Sequence, residues 1–328
     1  MTLCNAAFEG GGVRGIGHVG AACVFEKKGY DFLNLVGSSA GAIVATLLAV
    51  GYKCDEIKEI MKSIDYLKFK QKDLLDCFGT VGKFFSIVFD FGIYNADYFE
   101  NWLNKLLKEK GKATFGDVRL YDRRCKRYKY KLQVTASDLT DKKLLVLPRD
   151  LWKFGINPDS YSIAKAVRMS MSIPIFYEPF HLKDKMGREH LIVDGGLLSN
   201  YPIWILDDGE SYPQYPTFGF KFIENSNENS IISRSKSNIN IFDYLKLLVS
   251  TTLDANDKQY ISNSKGDFQR TIGISTKVKV DGKIKNISAT DFDITKKESI
   301  ALFNNGVNAA ERFLEHWDFN KWRNTFRR

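Results

Sequence analysis

Short apolar runs alternate with helix-like segments through the first two thirds of the chain. Apolar runs at 6–8, 32–36, 131–137 and 191–193 predict buried strands. Helices are predicted over 16–28, Ala40–Val50 and 162–170, and Gly29 and Gly51 follow the first two, as is common after helix ends. Strands that alternate with helices indicate the α/β class, with a mainly parallel sheet covered on both faces.

The last third of the chain has a weaker pattern. Strands are predicted over 217–222 and 270–276, and helices over 241–261 and 296–317. The segment 224–240 is rich in Asn and Ser and predicts a mobile loop. No repeat or linker divides the chain, so we expect residues 208–328 to form an extension that packs on the same core.

Charge and composition restrict the class of protein and its partners. The 328 residues are 44% hydrophobic and 27% charged, as in soluble globular proteins. The net charge of +9 favours anionic partners, and the segment 119–131 holds seven basic residues and one acidic residue. That segment is interpreted either as a solvated loop with a charged edge strand or as a contact with an anionic membrane surface. No nucleic-acid partner is expected, because no recognition motif accompanies it.

The cysteines and the apolar runs indicate a cytoplasmic protein. Five widely spaced cysteines without a C-x-x-C pair predict free thiols in a reducing compartment, not a disulfide framework or a zinc site. The first glycine motif begins at residue 10, which leaves no room for a signal peptide. The longest apolar run, 42–50, is far shorter than the ~20 residues that cross a bilayer. We therefore expect no membrane span, although the protein could act at a membrane surface.

A G-x-S-x-G motif predicts a nucleophile. Ser39 stands between Gly37 and Gly41, where a predicted strand turns into a predicted helix. Glycines on both sides let the strand and helix pass close together and raise the serine hydroxyl above the sheet. The start of the helix favours a developing oxyanion. Ser38 lies off the motif position, and the alternative to a nucleophile is a glycine-rich turn with a surface serine.

A second glycine motif predicts backbone donors for an oxyanion. It comprises Gly10, Gly11, Gly12, Val13, Arg14 and Gly15. Such a turn before a helix exposes N–H groups that can hold a tetrahedral oxyanion, and the charge of Arg14 could support the loop. The same glycines also fit the dinucleotide fingerprint, with Asp31 about 20 residues later. A dinucleotide-binding module is therefore an alternative, although it leaves the nucleophile motif unexplained.

Asp194 opens an Asp-Gly-Gly turn and is the candidate base. An aspartate with an ordinary pKa near 3.9 matches a serine hydroxyl poorly, so Asp194 should be desolvated or held against that hydroxyl. A Ser-Asp-His triad in the usual chain order has only His316 available after Asp194, on a predicted helix. His181 and His190 flank a charged loop and are predicted to be solvated.

Together these motifs resemble the patatin-like phospholipase family. Its members share G-G-G-x-[R/K]-G, G-x-S-x-G and D-G-[G/A] in this order, and the resemblance covers residues 6–207. It implies a three-layer α/β/α fold, with Ser39 as nucleophile and Asp194 as base, without histidine. It also implies Gly11, Gly12 and Val13 as the backbone donors, supported by Arg14. Glu9 departs from the Asp, Ser or Gly of many relatives, and we expect no loss of activity from it.

The resemblance also implies the substrate class. It predicts a phospholipase A or lysophospholipase that cleaves acyl esters of membrane lipids through an acyl-enzyme, without a metal or other cofactor. The aromatic stretch 84–91 is interpreted as a buried core element or as a lipid-facing lid. Neither the headgroup preference nor the oligomeric state follows from the sequence.

Overall fold

The computed structural model describes residues 1–64, 92–94, 97–121, 128–207, 213–223, 248, 251–252 and 266–327. Its strands are β1 (Thr2–Phe8), β2 (Tyr30–Gly37), β3 (Gly92–Tyr94), β4 (Leu132–Asp138), β5 (Lys143–Leu147), β6 (Ile175–Tyr177), β7 (Phe180–Lys183), β8 (Glu189–Asp194), β9 (Thr217–Ile223), β10 (Thr271–Ser275), β11 (Lys277–Val280) and β12 (Lys283–Asn286). Its helices are α1 (Ile16–Lys27), α2 (Ala40–Val50), α3 (Cys54–Ser63), α4 (Asp97–Glu109), α5 (Ile163–Met171), α6 (Gly196–Ser199), α7 (Lys296–His316) and α8 (Phe319–Phe326).

A central sheet organises the described residues. Its order is β10-β9-β1-β2-β4-β8-β7, and β5 also pairs with β4. The pairs from β10 to β4 are parallel, whereas β5, β8 and β7 join in antiparallel fashion. The predicted three-layer α/β/α class with a mainly parallel sheet is confirmed.

Alternating side chains on β1 bury both faces of the sheet, as the two-residue period of a strand requires. Ala6 and Phe8 point into the large apolar cluster, which contains buried residues of α1, α2 and α3. Ala7 points to the opposite face, where it packs in a smaller cluster with the 3₁₀ turn Ile203–Leu206. Because both faces are covered, the central strands are almost wholly buried, and their polar residues include the hydrogen-bonded pair Asn5 and Asn34.

The carboxy-terminal residues are packed against the first helix by glycine contacts. A Cβ on Gly306 of α7 would overlap the carbonyl oxygen of Gly17 on α1. A Cβ on Gly20 of α1 would overlap the carbonyl oxygen of Phe303 on α7. Only glycine lets the two helix backbones come this close. The same part of the chain supplies β9 and β10 to the central sheet.

The predicted elements agree with the structure to within a few residues. Ala40–Val50 is α2 without change, and Gly51 after it has a φ of 97°, which favours glycine. The predicted helix over 162–170 is α5, and the Ser162 side chain accepts a hydrogen bond from the Lys165 amide at its start. The aromatic stretch 84–91, the loop over 224–240 and most of the helix over 241–261 lie outside the described residues, as do residues 122–127 of the basic segment.

The prediction of free thiols is wrong for two of the cysteines. Cys23 on α1 and Cys54 at the start of α3 form a disulfide, with their Cα atoms 5.2 Å apart. Their separation of 31 residues gave no indication of pairing, because the two helices meet only once α3 packs against α1. Cys4 is a buried free thiol. The remaining two cysteines lie outside the described residues.

Apolar helices of this structure are short. Within the described parts of the chain, no helix is both long and apolar enough to cross a bilayer.

We expect Gly306→Ala to lower the free energy of unfolding by about 1–3 kcal/mol, because the added methyl group overpacks the α1–α7 contact. Asn304→Ala, at an exposed position of the same helix, is the matched control, and it should change stability by less than about 0.5 kcal/mol. Urea unfolding of both variants checks this. Equal stability of the two variants would show that the α1–α7 contact has room for a methyl group at Gly306.

Candidate active site

Ser39 lies at a sharp turn between β2 and α2. Its φ of 50° and ψ of −125° are unusual for a residue with a side chain. The turn is tight because a Cβ on Gly37 would overlap the backbone of Gly41, and a Cβ on Gly41 would overlap the carbonyl oxygen of Phe8. The two glycines therefore let β1, β2 and α2 meet with backbone contact, which is the geometry of a nucleophile elbow.

The two adjacent serines have different surroundings. The Ser39 amide donates a hydrogen bond of 2.9 Å to Ser170 Oγ, which is fully buried on α5. The Ser38 hydroxyl donates to the carbonyl oxygen of Ser199 at 2.7 Å and lies 2.5 Å from Thr135 Oγ1. Ser38 is thus fixed inside the structure, whereas the Ser39 hydroxyl makes a weak contact of 3.7 Å with Met171 Sδ.

Asp194 ends β8 and is 1% exposed. Its amide donates to the carbonyl oxygen of Ser172 at 2.9 Å, and its Oδ1 accepts a hydrogen bond of 2.7 Å from the Gly196 amide. Its Oδ2 has no hydrogen-bond partner among the described residues. The end of α5 thus holds both candidate residues, because Ser170 contacts the amide of Ser39 and Ser172 contacts that of Asp194.

Burial raises the pKa of Asp194 to about 7, and the Ser39 hydroxyl and the Gly196 amide each lower the pKa in part. Ser39 therefore lies close to the carboxyl group of Asp194. A buried carboxyl with a pKa near neutrality is a much better base than an ordinary aspartate. The unpartnered Oδ2 is the acceptor available for a serine proton.

The glycine-rich loop passes directly beside Ser39. A Cβ on Gly10 would lie 3.2 Å from the Ser39 Cβ and would overlap the Asn200 side chain. The Gly10 amide donates to the carbonyl oxygen of Asn200 at 3.0 Å. Asn200 follows α6, so the turn after Asp194 also fixes the start of this loop.

The backbone donors of the loop differ from the prediction at one position. The Val13 amide donates a hydrogen bond of 3.1 Å to the carbonyl oxygen of Ala289, so it does not point to an oxyanion in this structure. Gly11 and Gly12 stand at the start of the 3₁₀ turn Gly12–Gly15, where amides lack a partner within the helix. Within the described residues, neither amide has a backbone acceptor, which makes these two the remaining predicted donors.

Arg14 supports the loop from within. Its amide and its Nε both donate to the carbonyl oxygen of Gly11, at 3.0 and 3.2 Å. Its guanidinium lies over the ring of Phe222, 5.1 Å from the centroid. Arg14 is buried, so it acts as an internal brace of the loop.

Glu9 has a structural role that its sequence position did not reveal. Its Oε1 lies 2.5 Å from Lys221 Nζ, and its Oε2 accepts a hydrogen bond from the Phe222 amide. The carbonyl oxygen of Glu9 accepts a hydrogen bond of 2.9 Å from His18 Nε2. This buried carboxylate therefore ties the end of β1, immediately before the glycine-rich loop, to β9.

The histidines of the described residues do not join Ser39 and Asp194. Burial lowers the pKa of His18 to about 3, and this residue is occupied by Glu9. His316 is exposed at the end of α7, as its predicted helix suggested. The prediction that His190 is solvated is wrong: it is 3% exposed, and its Nδ1 donates to Asp138 Oδ2 at 2.7 Å.

The dinucleotide alternative lacks its acidic residue at the required end of the sheet. Dinucleotides bind beyond the carboxyl ends of parallel strands, where the glycine-rich loop begins. Asp31 instead pairs with Leu3 near the start of β1, at the opposite end of the strand from that loop. It is also exposed.

One cluster of the described residues has the composition of a metal site. Asp138, Asp141 and His190 offer ligand atoms within 4.8 Å of one another. Arg188 already supplies a positive charge there, because its Nη2 donates to Asp141 Oδ1 at 2.8 Å and lies 3.2 Å from His190 Nε2. The cluster is therefore an internally paired network.

Proteins similar in sequence match nearly the whole chain. The family model described as Patatin-like phospholipase matches residues 6–207. Protein YqhO of Bacillus subtilis (strain 168) is 35% identical over 316 residues, which are 96% of this chain and 99% of that protein. A protein of Acanthamoeba polyphaga mimivirus is 28% identical over 315 residues, or 94% of this chain and 92% of that protein.

A solved structure shares the fold. VipD from Legionella pneumophila superposes with a TM-score of 0.53 at 16% identity, over 96% of this chain and 66% of VipD. This chain thus spans about two thirds of VipD, and the likeness is one of fold. The fold and sequence define the class as a three-layer α/β/α protein with a patatin-type sheet. The chain belongs to the patatin-like phospholipase family, and this membership supports lipid hydrolase activity.

We expect Ser170→Ala to slow acylation of Ser39 about tenfold. The variant leaves the buried Ser39 amide without its acceptor and loosens a strained turn, at a cost of about 1–3 kcal/mol. Reaction with a fluorophosphonate ester, followed by intact mass over time, measures the rate.

Ser172→Ala is the matched control for this variant. The Ser172 hydroxyl donates to the carbonyl oxygen of Arg168 in α5, and the contact with Asp194 is made by the backbone. Its acylation rate should stay within about twofold of the wild type. Equal slowing in both variants would argue against a positioning role for Ser170.

Proposed function

We propose that the protein hydrolyses acyl esters of phospholipids or lysophospholipids with a Ser39-Asp194 dyad. The observation that carries this proposal is the buried Asp194, whose unpartnered Oδ2 lies near a serine held in a strained turn. Strained backbone and a shifted pKa at one place are typical of catalytic sites. Family membership supplies the lipid substrate class.

The reaction begins with proton transfer from the Ser39 hydroxyl to Asp194 while Oγ attacks the ester carbonyl. The oxyanion of the tetrahedral intermediate is stabilised by the amides of Gly11 and Gly12 and by the start of α2. Asp194 then gives its proton to the departing alkoxide, which leaves as the alcohol. The acyl group remains on Ser39.

Water completes the cycle by the reverse sequence. Asp194 takes a proton from the water as its oxygen attacks the acyl-enzyme, and the second tetrahedral intermediate uses the same donors. Collapse of this intermediate releases the fatty acid and returns the proton from Asp194 to Ser39 Oγ. Every proton is carried by the two side chains, so the sequence of steps requires no cofactor.

We expect Ser39→Ala and Asp194→Asn each to lower ester hydrolysis by at least about 10³-fold, because each removes a group that takes part in every step. A fluorophosphonate ester should add one adduct to the wild type and none to Ser39→Ala, as measured by intact mass. Circular dichroism should show that both variants remain folded.

Two exposed positions provide matched controls for these variants. His316→Ala tests the triad alternative and Asp31→Asn tests the dinucleotide alternative, and both should retain full activity. Full activity in folded Asp194→Asn would exclude the dyad. Loss of activity in His316→Ala would support a triad. If the protein were a nucleotide-binding module, Ser39→Ala would not change its function.

We expect kcat/KM for a water-soluble ester to rise with pH and to level off above about pH 7. The base must be deprotonated, and burial raises the pKa of Asp194 to about 7, so each pH unit below that value should cost about tenfold. A pH–rate profile between about pH 5 and 9 measures this. A flat profile down to about pH 5 would show that Asp194 is not the base.

The raised pKa of Asp194 also makes the free energy of unfolding depend on pH. A carboxyl whose pKa is raised by folding stabilises the protein below its unfolded pKa of ~3.9, and this contribution is lost as the pH rises through about 7. Asp194→Asn carries no charge. Its Tm relative to the wild type should therefore increase between about pH 5 and 8, and a constant difference would contradict the shift.

A further inference from the structure

We propose that three adjacent segments, 139–143, 149–153 and 183–188, form a docking surface for an anionic phospholipid bilayer. We name them the tip surface. The inference deepens the proposed function and rests on it for its purpose, because it states how the dyad reaches lipid. The surface is distinct from the basic segment 119–131.

The strand register places two of these segments, 139–143 and 183–188, at the end of the sheet where Ser39 lies. β4 runs parallel to β2, and Gly37 at the end of β2 pairs with Val134. β4 then continues four residues further, to Asp138, which is ~13 Å at ~3.3 Å per residue. Asp194 pairs with Ala136 on β4. The turns beyond β4 and before β8 therefore project past the dyad, in the direction toward which the nucleophile elbow points.

Hydrogen bonds join the turn after β4 to the hairpin between β7 and β8. The Leu139 amide donates to the carbonyl oxygen of Leu191 at 2.9 Å, and Arg188 Nη2 donates to Asp141 Oδ1 at 2.8 Å. The hairpin itself is shaped by Asp184, whose Oδ1 accepts hydrogen bonds from two amides of the turn, at 2.8 and 2.9 Å. These two segments form one braced unit.

The third segment packs against the same unit. It is the 3₁₀ turn Arg149–Phe154, whose Phe154 ring lies 5.1 Å from the ring of buried His190. A Cβ on Gly155, immediately after the turn, would lie 2.8 Å from the Lys185 side chain of the hairpin. The three segments thus form one continuous surface.

Each segment presents an apolar side chain to solvent. Met186 is 93% exposed, Trp152 is 60% exposed and Leu139 is 40% exposed. The turns that carry Met186 and Trp152 are well ordered by internal contacts, and they still leave these two apolar side chains in solvent. Tryptophan is enriched at the interface between lipid and water, where its ring sits among headgroups.

The charged side chains around these apolar groups are mainly positive. The three segments contain seven basic and three acidic residues. Asp141 and Asp184 are paired with Arg188, and buried Asp150 is paired with Lys153. Within the described residues, no acidic partner is found for four exposed lysines, which are Lys142, Lys143, Lys183 and Lys185.

This combination fits a bilayer better than a folded partner. Three separate apolar side chains stand on convex turns, so each can enter a fluid headgroup layer independently. The unpaired lysines around them suit the negative surface of phosphatidylserine, whose attraction falls off within a Debye length. Binding should therefore depend on both anionic lipid and ionic strength.

The experiment measures flotation with vesicles of phosphatidylcholine, with and without phosphatidylserine. It uses the Ser39→Ala background, so that hydrolysis cannot alter the vesicles. One variant carries Trp152→Ser and Met186→Ser, and a second carries Lys142→Glu and Lys185→Glu. A matched control carries Ile284→Ser and Lys283→Glu, which are exposed positions on the β11–β12 hairpin.

We expect each tip variant to lower the partition onto phosphatidylserine vesicles about tenfold, and added salt to lower wild-type binding. The hairpin control should stay within about twofold. Equal binding by wild type and both tip variants, or equal loss in the hairpin control, would overturn the proposal. So would binding that does not distinguish the two vesicle compositions.

Hydrolysis separates this inference from the proposed function. In the background with intact Ser39, tip variants should retain hydrolysis of a water-soluble ester and lose hydrolysis of vesicle lipid. Absence of soluble-ester hydrolysis in the wild type would remove the proposed function, and the flotation result would still decide whether the tip surface binds lipid.

Discussion

The backbone contact among β1, β2 and α2 is the constraint on which the site depends. Gly37 and Gly41 remove the side chains that would keep these elements apart, so α2 begins directly at the end of β2. Ser39 is then left in a conformation that costs about 1–3 kcal/mol. The contact with Ser170 and the packing of apolar α2 hold that conformation against relaxation. The proposed nucleophile therefore owes its place at the start of α2 to this backbone contact.

Burial gives Asp194 its chemical character. An aspartate in water has a pKa of ~3.9, but desolvation raises the pKa of Asp194 to about 7, which suits the proposed exchange of a proton with Ser39. Among the residues that the structure describes, Oδ2 has no hydrogen-bond partner, and an unpaired buried acceptor destabilises the fold. The contact of its amide with Ser172 and that of its Oδ1 with Gly196 fix the carboxyl in place. Buried His18 is bonded to the carbonyl oxygen of Glu9, and burial lowers the pKa of this histidine to about 3.

The features that the sequence predicted well are those determined by residues close together in the chain. The period of α2, its terminal Gly51 and the parallel sheet follow from local patterns. The failures all involve distant segments. The Val13 amide is occupied by Ala289, Cys23 pairs with Cys54, and His190 is enclosed by Asp138. The sequence assigns no role to Ser170, and its hydrogen bond to the elbow shows its contact with Ser39.

Residues beyond the match to the family model help to shape the glycine-rich loop. The Ala289 carbonyl group accepts the Val13 amide and leaves no space for a side chain at Gly12, whose φ is 52°. The ring of Phe222 on β9 likewise fills the space next to Gly11. By occupying the Val13 amide, the later segment removes one of the three predicted donors. Residues 6–207 match the family model and hold all three sequence motifs, but the conformation of the first motif requires the chain that follows.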